Sequence, residues 1–185
     1  MRVTPTTLTD VLLIEPEVFS DNRGFFFESF NARRFAEATE LDVAFVQDNH
    51  SLSRKGTLRG LHYQLEQPQG KLVRVIEGSI FDVVVDIRRS SPNFGQWVGQ
   101  ELSRENKKQL WVPPGYAHGF LTLSNTAQVL YKTTDYYVPE DERNIIWSDE
   151  TIGIDWPDLD SPPILSPRDL DAPNLGAAEL PPSAS

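Results

Sequence analysis

Turn signals recur about every 8–12 residues through the middle of this chain, a spacing that suits short antiparallel strands closed into a sandwich or barrel. The turns are "RKG", "EQPQG", "EGS", "SSPNFGQ", "VPPGYAHG" and "LSNTAQ". The runs between and beside them, "KLVRVIEGS", "SIFDVVVDIR", "GFLTLSN" and "QVLYKTTDYY", are rich in β-branched and aromatic residues. In "SIFDVVVDIR", Phe81, Val83, Val85 and Ile87 fall on one face and Asp82, Val84 and Asp86 on the other. One helix is predicted over "NARRFAEATE", with Asn31 as its N-cap. Near the C-terminus "DWPDLDSPPILSPRDL" reads as proline-rich and extended, with a helix start at "SPRDL". Residues 173–185 have little to bury and are expected to be frayed or disordered. No repeat and no linker interrupts the rest, so a single domain over 1–172 is expected.

Charge narrows the partners. Residues 132–185 hold three basic side chains, Lys132, Arg143 and Arg168, against twelve acidic ones, a net of -9 out of the chain's -10. A nucleic-acid backbone needs a basic face, and this distribution offers none. A few placed arginines still suffice to hold a small anion such as a diphosphate. No run of about 18 apolar residues is present, so no membrane span is expected. The start, "MRVTPTTLTDVLLIEPEVF", lacks the apolar core and cleavage site of a signal peptide. Cysteine is absent, which removes disulfides and thiol catalysis. The expected location is the cytoplasm.

The stretch "TLRGLHYQ" places His62, one of three histidines, in an apolar strand-like run. A regular strand puts Leu58, Gly60, His62 and Gln64 on one face and turns Arg59 the other way, unless Gly60 marks a bulge. His50 has no assignable role and is expected to be structural or exposed. The runs "PEDERN" and "SDE" read as solvated loops.

Gly56, His62 and Gly78, with Pro113, Gly115 and His118 of "VPPGYAHGF", resemble the two short motifs of the cupin superfamily. The resemblance implies an all-β fold, a cupin-type antiparallel β barrel or jelly roll. Two departures matter. In metal-binding cupins a second histidine and a glutamate complete the ligand set; here Gln64 and Lys71 take those places. Thr122 stands where an asparagine usually closes the second motif. An ammonium cannot ligate a metal and repels a cation, and an amide is a poor transition-metal ligand. The expectation is therefore no metal and no other cofactor. A lysine there can polarise a carbonyl and hold an enolate oxygen. An imidazole base, a fixed cation and a tyrosine suit proton abstraction beside a ketone, and a tyrosine on the far side of the substrate would make that an epimerisation.

The stretches "DNRGFFFESF", "FVQDNHSLS", "GTLRGLHYQ", "QGKLVRV", "VPPGYAHGF", "YKTTDYY" and "LSPRDL" together resemble the dTDP-4-dehydrorhamnose 3,5-epimerase family, over about Thr4 to Leu170. The resemblance implies His62 as general base with Asp169 as its hydrogen-bond partner, Tyr131 as general acid and Lys71 at the enolate oxygen. It implies that Gln47, Asn49, Arg59 and His118 line the sugar and diphosphate site. Arg23, Phe26 and Glu28 match a segment that reaches the neighbouring subunit's site, which implies a homodimer. Tyr136 or Tyr137 would lie against the thymine, and Glu142 and Arg168 match further ligand positions. The implied substrate is dTDP-4-dehydro-6-deoxy-D-glucose, inverted at C3 and C5. The residues alone also allow plainer roles: Asp169 capping a helix, the tyrosines packing in strands, Arg23 and Arg59 on the surface. Two other functions remain open, a relative inverting a single carbon and a metal-free cupin that binds a nucleotide sugar without reacting it.

Overall fold

The computed structural model describes residues 1–158 and 161–181. In chain order its elements are β1 (Arg2–Pro5), β2 (Leu12–Glu15), β3 (Phe19–Asp21), β4 (Gly24–Phe26), α1 (Ala32–Thr39), β5 (Gln47–Arg54) and β6 (Leu58–Gln64). There follow β7 (Lys71–Glu77), β8 (Ser79–Asp86), β9 (Trp97–Ser103), β10 (Gln109–Val112), β11 (Tyr116–Thr122), β12 (Thr126–Thr133), β13 (Glu142–Asn144) and α2 (Pro167–Leu170). Two antiparallel sheets face each other, in the orders β1-β2-β10-β7-β12-β5 and β13-β6-β11-β8-β9. This is the all-β jelly roll of cupin type that the turn spacing and the motifs anticipate. The strand in "QVLYKTTDYY" ends at Thr133, before the aspartate and the two tyrosines.

Alternation sorts the side chains into three layers. Between the sheets lie Val73, Val75 and Val129 from one and Ile80, Val84 and Phe120 from the other. The outer face of the five-stranded sheet carries Val83, Val85 and Ile87, covered by Ile145, Ile152, Leu175, Ala178 and Leu180. The outer face of the six-stranded sheet carries Leu12, Ile14, Leu72 and Trp111, against which α1 packs Phe35. Both faces of β8 are thus buried, which is why its centre, Val83 to Val85, is apolar without a break. Helix α1 begins as predicted, with the Asn31 side chain accepting from the Arg34 N–H.

Two expectations fail in the loops and the tail. Residues 173–181 are not frayed: Leu175, Ala178 and Leu180 are buried, because the second face of the five-stranded sheet is apolar and needs a cover. The remainder of that expected tail, 182–185, lies outside the described residues. The acidic runs are not simply solvated either. Asp141 is buried and accepts from the Glu66 and Gln67 N–H groups, and buried Asp149 accepts from Thr151, Ile152 and Leu175. Each carboxylate satisfies backbone donors that a tight loop leaves unpaired.

One irregularity decides the geometry of the site. Pairing between β6 and β11 matches His62 with His118 and Arg59 with Phe120, so three steps on β6 oppose two on β11. The extra residue is a bulge at Gly60–Leu61. Leu61 turns into the outer cluster, and Arg59 and His62 come to share the inner face. Glycine is required there: Gly60 has φ +119, and a Cβ on it would stand 2.6 Å from Gly119 Cα.

Candidate active site

The inner face of the barrel collects polar side chains from both sheets. His62 and His118 stand side by side on β6 and β11 of the five-stranded sheet. Opposite, on the six-stranded sheet, Tyr131 of β12 pairs with Asn49 and Val73 and packs against the inner core. Lys71, two residues before the inward Val73, points the same way. Gln47, Asn49, Ser51 and Ser53 form the inward row of β5.

Each histidine holds a buried carboxylate. His62 Nε2 lies 2.5 Å from Asp169 Oδ1, and the Asp169 side chain is 4% exposed. His118 Nε2 lies 2.8 Å from Asp82 Oδ1, with Asp82 fully buried. An ionised carboxylate only accepts, so Nε2 carries the proton in both rings and Nδ1 is left free to take one. Asp169 is also tied to the N-cap of α2: its N–H donates to Ser166 Oγ, whose hydroxyl donates back to Oδ2. Burial works to raise the Asp169 carboxyl, but the bonds from His62, Ser166 and the Gly60 N–H outweigh it and hold the group below the ordinary carboxylate value. Asp169 thus both anchors the first turn of α2 to its Ser166 cap and charges the site.

Lys71 and Tyr131 are displaced in ways that suit proton chemistry. Burial brings the Lys71 ammonium down to about 8, against the opposing pull of Glu142 and Asp82. Burial raises the Tyr131 phenol, Glu142 adds to the rise, and Arg59 opposes it. Arg59 reaches across the barrel, its Nε donating to Ser53 Oγ at 3.0 Å. Glu142, paired on β13 with Gln64, stands 3.9 Å from His62 Nδ1 and accepts from Tyr137 Oη at 2.8 Å and from Arg168. Arg168 also bonds the Glu142 carbonyl, and its own carbonyl accepts from Asn144. These bonds pin α2 beside β13, so Asp169 reaches His62 from 107 positions along the chain.

An imidazole paired with a buried carboxylate on one sheet stands opposite a lysine and a phenol on the other, an arrangement able to move protons, and comparison with known proteins gives the same direction. The family model described as dTDP-4-dehydrorhamnose 3,5-epimerase matches residues 5–177. The chain belongs to this family. It is 59% identical over 169 residues to the dTDP-4-dehydrorhamnose 3,5-epimerase of Pseudomonas aeruginosa, covering 91% of this chain and 93% of that one. The enzyme of the same name from Salmonella typhimurium is 58% identical, with 97% and 98% covered. The fold of this chain is similar to that of a dTDP-6-deoxy-D-glucose-3,5-epimerase from Legionella pneumophila, solved in complex with dTDP-4-keto-L-rhamnose. That likeness has a TM-score of 0.96 and 50% identity, and covers 100% and 99% of the two chains.

Among the residues that the epimerase family resemblance implied, the structure turns His62, Asp169, Lys71, Tyr131, Arg59, His118, Glu142, Asn49 and Gln47 toward the barrel interior from both sheets and from α2. Tyr137 and Arg168 join them through Glu142, while Tyr136 is exposed at the rim. Arg23, Phe26 and Glu28 do not join them within one chain. Arg23 is bonded to Asp21, Glu28 to Asn31 and Arg34, and Phe26 is 72% exposed on the β3–β4 hairpin. His50 is exposed and bonded to Gln128, in keeping with a structural residue. Gln64 is used up by backbone: it donates to the Gln67 and Tyr136 carbonyls and accepts from the Val138 N–H. It secures the loop that carries the two tyrosines. Sequence reasoning passed over Asp82, although the alternation of β8 set this carboxylate on the inner face, where burial demands a partner.

Proposed function

We propose that this chain is a dTDP-4-dehydrorhamnose 3,5-epimerase, converting dTDP-4-dehydro-6-deoxy-D-glucose to dTDP-4-dehydro-L-rhamnose without a cofactor. The observation that carries this is the His62–Asp169 pair facing Tyr131 across the barrel, with the Lys71 ammonium between the two sheets. The C4 ketone acidifies the hydrogens on C3 and C5. His62 Nδ1 takes one, and the electron pair moves onto the C4 oxygen as an enolate, which Lys71 stabilises. Asp169 stabilises the resulting imidazolium and holds its tautomer, a role for which its lowered carboxyl is suited. Tyr131 then donates its hydroxyl proton to the opposite face of the carbon, and the enolate collapses to the inverted ketone. Each inversion leaves His62 one proton up and Tyr131 one proton down, and exchange with solvent resets both before the second carbon reacts. Arg59, Gln47, Asn49 and His118 hold the sugar and diphosphate, and Tyr136 or Tyr137 lies against the thymine. Binding energy from the nucleotide anchors the ring while its carbons turn over. Incubation with the 4-keto sugar nucleotide in D2O tests this. Deuterium at both C3 and C5 of an L-configured product is the expected result, and recovery of unlabelled substrate would refute it.

The active form in this reading is a homodimer. Phe19, Phe25 and Phe26 lie exposed on the β3–β4 hairpin, an apolar edge that a second copy would cover while placing Arg23 and Glu28 in the neighbouring site. Sedimentation should give a dimer at micromolar concentration, and a fully active monomer would end the idea. The expected location is the cytoplasm; among the described residues no helix is long and apolar enough to cross a membrane.

A further inference from the structure

Two inversions in succession leave a proton to be disposed of. After each one His62 carries the hydrogen taken from carbon, and a nucleotide sugar seated in the mouth of the barrel shuts bulk water away from Nδ1. Asp169 cannot pass that proton on. It holds Nε2 rather than Nδ1, its side chain is 4% exposed, and its two oxygens are bonded to His62 and to Ser166. Glu142 is placed differently. Its Oε1 stands 3.9 Å from His62 Nδ1, within ion-pair reach of a protonated ring. Its Oε2 accepts from the Tyr137 hydroxyl at 2.8 Å and from Arg168. The Glu142 side chain is 15% exposed, and Tyr137 beyond it is 45% exposed. One carboxylate therefore reaches from the base to the solvent-facing rim.

We infer that Glu142 acts through His62, as the station by which the abstracted proton leaves the site between the two inversions. The Nδ1–H bond breaks as an O–H bond forms at Oε1, and the lone pair returns to Nδ1. The carboxyl O–H bond then breaks toward water at the Tyr137 rim, which restores the carboxylate. Tyr131 takes a proton back from the same solvent, so the two resets balance and the site ends each inversion as it began. A carboxylate is a weaker base than an imidazole, so it carries the proton only in passing. The bonds around Glu142 suit that task. Its backbone is paired with Gln64 across β13 and β6, and Arg168 of α2 donates to its carbonyl as well as to its carboxylate. Both the base of the side chain and its head are thus held beside His62. No neighbour offers the same route. The Gln64 amide is spent on backbone groups, and His118 is buried with its Nε2 on Asp82. The charge is also felt deeper in the barrel, where it opposes the fall of Lys71 and adds to the rise of Tyr131.

This inference rests on the reading of His62 as the base of an epimerase, and the test separates the two. Wild type and Glu142→Gln are given dTDP-4-dehydro-6-deoxy-D-glucose in D2O with a bulky buffer alone, and the C3- and C5-inverted species are followed by NMR. The amide keeps an oxygen for Arg168 and Tyr137 but is no proton acceptor at neutral pH. The second inversion should lag behind the first, so singly inverted sugar nucleotide accumulates and steady turnover falls by about tenfold or more. Formate, a small base, should restore turnover in proportion to its concentration. A group that only holds the ligand would raise KM and be blind to formate. A folded Glu142→Gln that turns over at the native rate, or whose loss formate does not relieve, overturns the assignment. Should Glu142→Gln fail to fold by circular dichroism, Glu142→Asp decides the matter. It keeps an anion for Arg168 but draws the oxygen beyond ion-pair reach of Nδ1, so turnover should again fall and answer to formate. An aspartate variant with native turnover, or with a loss that formate leaves untouched, overturns the proposal. A wild-type protein that catalyses no exchange refutes the proposed function and the relay with it, whereas an exchanging wild type beside a formate-blind variant refutes the relay alone.

Discussion

Asp169→Asn separates the two jobs that this residue does. The change keeps the shape of the side chain and its place at the start of α2, but removes the charge 2.5 Å from His62 Nε2. With about 4 Å between the carboxylate and the ring centre and an effective dielectric near 20, the attraction for a forming imidazolium is about 4 kcal/mol. Expressed wholly in the transition state, that is about a thousandfold in rate. The amide also brings an N–H donor where the ring's Nε2–H now points. The ring is then free to shift its proton to Nδ1, which removes the lone pair aimed into the barrel. The two effects act through one hydrogen bond and are not additive, so solvent-deuterium exchange should fall by about 10²–10⁴. Thymidine diphosphate should bind as before, and far-ultraviolet circular dichroism should be unchanged. Ser166→Ala is the companion. It removes the capping partner and should cost about 1 kcal/mol of stability while leaving exchange within a few-fold of native. A folded Asp169→Asn that exchanges within about fivefold of wild type would sink the argument, because general-base contributions run far above that. Asp169 would then be a first-turn residue held by its Ser166 cap that happens to touch a histidine.

Three further outcomes follow from the same geometry. Tyr131→Phe removes one hydroxyl from a half-buried ring, so stability and ligand binding should survive; deuterium should enter the recovered substrate while inverted product falls sharply, and native product formation would make Tyr131 a packing residue. Solvent exchange should decline above about pH 8 as Lys71 loses its proton, whereas stability should rise over the same range. The sign follows because Lys71 in the unfolded chain titrates near its ordinary value, so from about 8 to about 10.5 the unfolded state binds the extra proton. A melting temperature that drops across that window would contradict the burial of this ammonium. Dialysis against a chelator should leave activity intact, since Gln64 is spent on backbone bonds and Lys71 stands at a ligand position; loss of activity with release of stoichiometric zinc, iron or manganese would overturn that reading.

Several features were legible in the residues because they depend on neighbours a few positions away. The two-residue period of β8, the cap at Asn31, the turns that close the strands and the motif positions of His62, Lys71 and His118 are of this kind. They determine which side chains a jelly roll of this sequence can turn inward. The bulge at Gly60–Leu61 escapes such reasoning, because it rests on how closely β6 approaches Gly119 of another strand. A single extra residue inverts the parity of everything before it, and only then does Arg59 join His62 on the inner face. The burial of Leu175, Ala178 and Leu180 likewise depends on an apolar sheet face formed by residues some ninety positions earlier. Asp141 and Asp149 look like solvated charge until the backbone N–H groups they accept from are brought round to them. Composition and periodicity set a residue's chemistry and its face. Which carboxylate meets which cation is set by register and chain closure, and these are free energies of the whole fold, to which no local stretch holds the key.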